Sequence, residues 1–290
     1  MIVLPVVRPA AAGLVVAAPR IVSDDPFELI RDRWEPPPWP GEVEVRIDRA
    51  AADDPEITGA LETLACPACH RRADHLELDR IARARVHYAV TCAAPPGWPP
   101  LHLWALWQAV SLLAERTGGL RLDPHTPRLI PAGWRPRPPT RPERFAVGDW
   151  ARVLGFQDDD GGTRLHTAGM HVFGLPDLEV RDVRPDLCRA WARLLLGLAR
   201  ALVHRQWADL AAEPARVSRV LPGRLEITAS DVAAALAEPL PAHPARRVAV
   251  SLRHATPVAG SRPRLAVGPP PERRGPVRTW HVDAAQAMGP

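Results

Sequence analysis

The chain contains no lysine: all 37 of its basic residues are arginine. Alanine is abundant and there are 35 prolines, a combination that points to GC-rich coding bias. An arginine at any single position therefore says little about phosphate recognition. Cysteine is also scarce, four in 290 residues. That excludes a disulfide-built scaffold and makes a reducing cytoplasm the expected setting. No apolar run approaches the ~18 residues of a membrane span, so no membrane partner is expected. The apolar N-terminus is broken by Pro5, Arg8 and Pro9, and "LVVAAPRIV" fits a first strand better than a secretory signal.

The net charge of +4 is a weak excess, with 33 acids mixed among the arginines. Nucleic-acid binders concentrate basic charge on one face or stripe. Here the densest basic stretch, "WRPRPPTRPER" at 134–144, is proline-rich and reads as a linker. No nucleic-acid partner is expected. What the chain does have is enough apolar sequence, 46%, to bury a core.

Periodicity predicts an α+β fold of mixed or antiparallel sheets, with amphipathic helices packed on one face and two similar-sized halves. The first half, 1–130, alternates strand and helix. "EVEVRID" and "RARVHYAVTC" read as strands, and 54–65 and 101–119 as helices closed by turn or glycine signals. A proline-rich linker spans 131–142. The second half, 143–290, opens on a hairpin around "QDDDGG". It continues through a long amphipathic helix at 185–207, the strand "GRLEIT", a capped helix from "TASD" and the strand "RRVAVSLRHA". Its tail reads as partly extended.

"TLACPACHRRADH" carries the loudest chemistry. Cys66, Cys69 and His70 match a haem attachment box, a thiol redox pair and half a zinc knuckle. Haem attachment lacks an export signal and a placed sixth ligand. A reactive thiolate belongs at a helix N-terminus, whereas this pair follows a helix. Zinc needs a fourth ligand, for which His75 or Cys92 is the nearest choice. The plainer reading has the two cysteines closing the buried face of a helix, with Arg71, Arg72 and the histidines on its C-terminal dipole. No cofactor is expected.

A second constellation is "LHTAGMHVFGLPDLEVRDV". Gly169 and Gly174 suit positions of positive φ, Val172 and Phe173 insert apolar bulk between them, Pro176 fixes a turn before Asp177, and Met170 belongs to the same structural signature. His166, His171, Asp177 and Glu179 lie close in sequence, so a metal or acid–base site can be drawn from them. The alternative is a structural turn that joins one strand to the next. Trp98, Trp104 and Trp107 gather near one helix start, as core or as a contact surface.

Two stretches carry a resemblance. "VHYAVTC" with "LWQAVSLLAERTGGLRLDPHTPRLIP", and "LHTAGMHVFGLPDLEV" before a long apolar helix, resemble an uncharacterised bacterial family that carries only a domain-of-unknown-function label. Its signature is T-x-G-M-x-x-F-G-x-P-D-L-E-V, and the similarity spans about residues 83–207. The resemblance implies an α+β fold in a bacterial cytosol, with no activity and no catalytic residue. Some of the relatives fall near interaction or immunity-type proteins. Cys66, Cys69 and His70 are not part of its pattern.

The expectation is a cytoplasmic, non-enzymatic protein that binds an unknown protein partner. The alternative is a zinc-binding protein or metal-dependent hydrolase-like enzyme. It would use Cys66, Cys69, His70 and His75, or His166, His171 and Asp177.

Overall fold

The structure, a computed structural model, describes residues 1–51, 53–66, 74–136, 141–158, 161–256 and 262–288. Among these residues seven helices and thirteen strands form antiparallel and mixed sheets, an α+β fold. The chain divides into two compact units, Arg8–Pro138 and Met1–Val7 with Pro139–Pro290. No helix of the described residues is long and apolar enough to cross a membrane.

In Arg8–Pro138 the central strand is β2 (Ala10–Ala18), buried along nearly its whole length. It pairs antiparallel with β4 (Val86–Ala94) and β5 (Leu120–Asp123). β3 (Glu44–Ala50) and β6 (Arg128–Ile130) complete the order β3-β4-β2-β5-β6. A short α1 (Glu28–Arg31) precedes β3. Side chains alternate along a strand, so β2 offers both of its faces to helices. α4 (Leu101–Thr117) packs on β2 and β4 and ends at Gly118, whose φ of 66° is left-handed. Val15 and Ala17, of the opposite parity to Leu14 and Val16, join a separate cluster. Its other members include Ile57, Ala60 and Leu64 of α2 (Pro55–Ala65) and Leu78 and Ile81 of α3 (His75–Ala82). Helices thus lie on both faces of this sheet, because a strand buried on both sides needs two apolar covers.

Asp54 starts α2 by accepting from the backbone N–H groups of Glu56 and Ile57, with Pro55 in the first turn. The helix α3 was not legible in the sequence. It is eight residues long and buries only Leu78 and Ile81, too little for a periodic signal.

In the second unit, six strands run in the order β11-β12-β13-β9-β8-β7. They are β7 (Arg152–Gln157), β8 (Thr163–Ala168), β9 (Asp177–Val183), β11 (Arg224–Thr228), β12 (Arg247–His254) and β13 (Arg264–Gly268). All neighbours are antiparallel except β13 and β9. α5 (Cys188–Ala212), α6 (Ala229–Ala235) and α7 (Val277–Met288) cover one face. At Gly197 of α5 an added Cβ would meet Val232 of α6 at 2.7 Å and Ile227 of β11 at 3.1 Å, so the absence of a side chain sets the helix's approach. Trp191 fixes α7: its indole N–H donates to the His281 carbonyl at 3.2 Å, and its ring lies 4.9 Å from Trp280. α6 starts in a capping box of Thr228 and Asp231. The tail, expected to be partly extended, holds strand β13 and helix α7.

Residues 1–7 group with this unit. β1 (Ile2–Pro5) pairs antiparallel with β10 (Ser218–Leu221) in a ribbon of two strands, Leu4 opposite Arg219.

Candidate binding face

Because α5, α6 and α7 cover one face of the six-stranded sheet, alternation turns every second side chain to the other. On β12, Val248, Val250 and Leu252 are buried beneath the helices, while Arg247, Ala249, Ser251 and Arg253 look outward. The cross-strand register carries this pattern across the sheet. Arg253 lies beside Ala266, Ala266 beside Glu179, and Glu179 beside His166. Ser251 lies between Arg224 and Gly268. By this alternation the outward positions carry Arg152, Arg164, Arg181, Arg224, Arg247, Arg253 and Arg264, against Asp177, Glu179 and Glu226 as the strand acids, with Asp177 beside Arg264. Arginines that are scattered along the chain are gathered here in space. The sequence signal for them was the alternation in "RRVAVSLRH", "RPRLAVG" and "GRLEIT", each with arginine at outward positions.

Each glutamate is shared by two arginines. Glu179 accepts from Arg181 Nε at 2.6 Å through one oxygen and from Arg264 Nη1 at 2.9 Å through the other. Its side chain is only 2% exposed, while that of Arg181 is 53% exposed. Burial alone would push the Glu179 carboxyl upward, but the two guanidinium bonds outweigh it and hold the pKa below the ordinary value. The hydrogen bond to Glu179 raises Arg181 in turn. On the far side, Glu226 takes Arg247 Nη1 at 3.1 Å and Arg224 Nη2 at 3.6 Å, and Arg224 also reaches Glu272 at 3.2 Å. The Glu179 pair of arginines shares one carboxylate, whereas Arg224 and Arg247 are matched by two, Glu226 and Glu272.

His166, opposite Glu179, stacks on Phe156 with ring centroids 5.1 Å apart and planes 7° off parallel. The Arg164 guanidinium lies 5.7 Å from the same Phe156 ring. Burial, then the nearby Arg264, push His166 down to about 4, with Glu179 opposing. The imidazole is therefore neutral at physiological pH and unsuited to act as a general acid there.

The signature around Asp177 folds as a connection between β8 and β9. Gly169 and Gly174 bracket a 3-10 turn, Met170–Phe173, with φ values of 108° and 69°. Asp177 accepts from the Thr167 hydroxyl and the Met170 N–H, both at 3.1 Å, and Thr167 Oγ1 accepts from Leu178 N–H at 2.7 Å. Burial raises the Asp177 carboxyl to about 6, against the pull of these bonds. Met170 and Phe173 are buried, the latter edge-on to Phe145 at 5.8 Å, and Gln206 of α5 donates to the Phe173 carbonyl. Pro176 is half-buried beside Asp177, and His171 lies within the 3-10 turn. Among the described residues no group of three His, Cys, Asp or Glu side chains is arranged to hold a metal ion. His166, His171 and Asp177 are therefore not brought together as ligands among the described residues, and the Asp177 carboxylate is engaged by Thr167 and Met170 at the connection.

Cys66 ends α2 in an extended conformation and is half-buried. Cys69 and His70, like Arg71 and Arg72, lie outside the described residues. His75 is the first residue of α3, after the N-cap Asp74, so it opens a second helix and does not close α2. Cys92 is buried in β4, and burial pushes its thiol up to about 12. Trp104 lies 5.4 Å from Trp107 and edge-on to Trp39 at 5.9 Å, all three half-buried along α4. No family model, no curated protein and no solved structure matches the chain.

Proposed function

We propose that the protein works by binding a partner protein, and that the arginine-rich outward face of the six-stranded sheet is where it does so. The observation that carries this reading is the division of one sheet into an apolar face under three helices and an outward face dominated by guanidinium groups. Arginine is favoured at protein interfaces because its planar fork bonds carboxylates in pairs and its stem packs flat. Most ionisable groups of the face are engaged in ion pairs and stacking, and among the described residues no nucleophile–base pair converges on them. Ser251, the hydroxyl at the centre, donates to the Pro269 carbonyl at 2.7 Å.

Nucleic acid is less well suited to this face. Sheets that bind single strands offer open aromatic platforms for base stacking. Here Phe156 is stacked on His166 and approached by Arg164. Affinity capture from the cells that make the protein, with cross-link mapping, tests the reading. The wild type should retain a protein cross-linked to the sheet face, and Arg181→Glu with Arg253→Glu should lose it. Retention that is indifferent to both substitutions would count against the face.

A further inference from the structure

We infer that two copies of the chain join through the free edge of β3, antiparallel and centred on Ile47, so that the two five-stranded sheets run on as one. The inference concerns the first unit and does not rest on the arginine-rich face.

β3 stands at one end of its sheet and pairs only with β4. Among the described residues no hydrogen bond from outside the sheet reaches the backbone of Glu44–Ala50. Every second residue therefore directs its N–H and C=O outward with nothing to bond, which is a template for a further strand. Charged side chains usually keep such edges apart. On β3 the order of the charges works the other way.

Two antiparallel strands put residues of the same face opposite one another. Copies related by a two-fold axis across this edge therefore meet with one residue opposite itself. Centring on Arg46 sets Arg46 against Arg46 and Glu44 against Asp48. Centring on Asp48 sets Asp48 against Asp48. Centres at Val45 or Arg49 pair only positions 44–46 or 48–50. Centring on Ile47 pairs the whole strand. It sets Arg46 opposite Asp48 twice, Ile47 on Ile47, Val45 beside Arg49 and Glu44 beside Ala50. Arg46 and Asp48 already lie on one face, bonded at 3.1 Å and both more than half exposed. In the pair they close a ring of four alternating charges. The only register that uses the full strand is also the one with opposite charges opposed.

The helices leave room for it. α4 packs on β2 and β4, so its counterpart in the second copy lies about four inter-strand steps away, about 19 Å at the usual spacing. Helices touch at about 8–10 Å. α2 and α3 gather on Val15, Ala17 and Leu122, on strands farther from this edge. One strand edge makes a narrow interface, so the dimer belongs to the weak, concentration-dependent class.

Sedimentation velocity of the full chain, from micromolar to submillimolar concentration, should show reversible exchange between monomer and dimer. Arg46→Asp or Asp48→Arg alone makes both cross-copy charge pairs like-signed. Each should weaken dimerisation by about tenfold or more, the scale of two reversed cross-strand pairs. Mixed together, the two variants again oppose unlike charges, and they should associate with each other as the wild type does with itself. Both changes in one chain should likewise restore the dimer. Melting curves show which variants are folded, and the double variant carries the rescue if either single one is not. A wild type that stays monomeric throughout, a dimer indifferent to both single substitutions, or a charge loss that neither the mixture nor the double variant rescues would each overturn the inference.

Discussion

Arg219 lies directly across the two-stranded ribbon from Leu4, and both side chains are almost wholly buried. The guanidinium has no hydrogen-bond partner among the described residues. Burial pushes its pKa down to about 10, with Asp209 opposing through its charge. A buried cation without hydrogen bonds costs stability. Arg219→Met keeps the stem and removes the charge, and it should raise stability by about 1–4 kcal/mol. Urea denaturation measures this, and a loss of stability would show that the charge is paired in solution.

His166 and Asp177 should give opposite pH dependences over nearly the same range. The His166 pKa is depressed to about 4 from 6.5, so its contribution is complete above pH 6.5 and is lost as the pH falls towards 4. The Asp177 pKa is raised to about 6 from 3.8, so its contribution is complete below pH 3.8 and is lost as the pH rises through 6. In the wild type the two slopes partly cancel. Asp177→Asn retains an acceptor for Thr167 and Met170 and should be more stable than the wild type at pH 7.5 by about 1–3 kcal/mol. It should also lose stability more steeply on acidification. Melting temperatures between pH 4 and 8 decide it, and superimposable profiles would mean that Asp177 titrates normally.

Two helical glycines should respond in opposite directions. Gly197 meets Val232 and Ile227, so Gly197→Ala forces α5 away from its neighbours at a cost of about 1–3 kcal/mol. Gly59, within α2, has nothing within 4 Å of an added Cβ. Gly59→Ala should stabilise by about 0.5–1 kcal/mol through helix propensity alone. Circular dichroism melts of the two variants make the comparison, and a shared sign would refute the packing account of α5.

Glu179→Gln leaves Arg181 and Arg264 without their common carboxylate on a nearly buried site. The expected cost is about 3 kcal/mol. Adding Arg264→Met should recover part of it, because the second substitution removes a cation that the first left unpaired. A double-mutant cycle by chemical denaturation reads the coupling, and additive losses would mean that the ion pair is loose in solution.

The sequence was most legible where apolar spacing is long and regular. α4 and α5 are visible because Leu103, Leu106, Val110 and Leu113, and later Leu194, Leu198 and Leu202, repeat at helical intervals. α7 buries Trp280, His281, Ala284 and Ala285, a face too mixed to stand out after a proline-rich stretch. The binding face was harder still. Arg181 and Arg264 are 85 positions apart from Glu179 or nearly adjacent to it, respectively for the second and the first. Only a parallel pairing of β13 with β9 makes all three neighbours. Asp177 was legible as part of a turn, but its hydrogen bonds depend on Thr167 lying beside Leu178 across the hairpin.

The pairing of β1 with β10 sets an order of assembly. Synthesis delivers β1 first and its partner strand only after most of the chain, with the whole of Arg8–Pro138 in between. The intervening unit has its own sheet and can close while the chain is still growing, since domains generally fold as they emerge. Ile2 and Leu4 must wait, apolar and uncovered, until Arg219 and Leu221 arrive. A nascent chain stalled before residue 218 would carry a finished first unit and a loose leading strand, a species open to chaperones that hold exposed apolar segments.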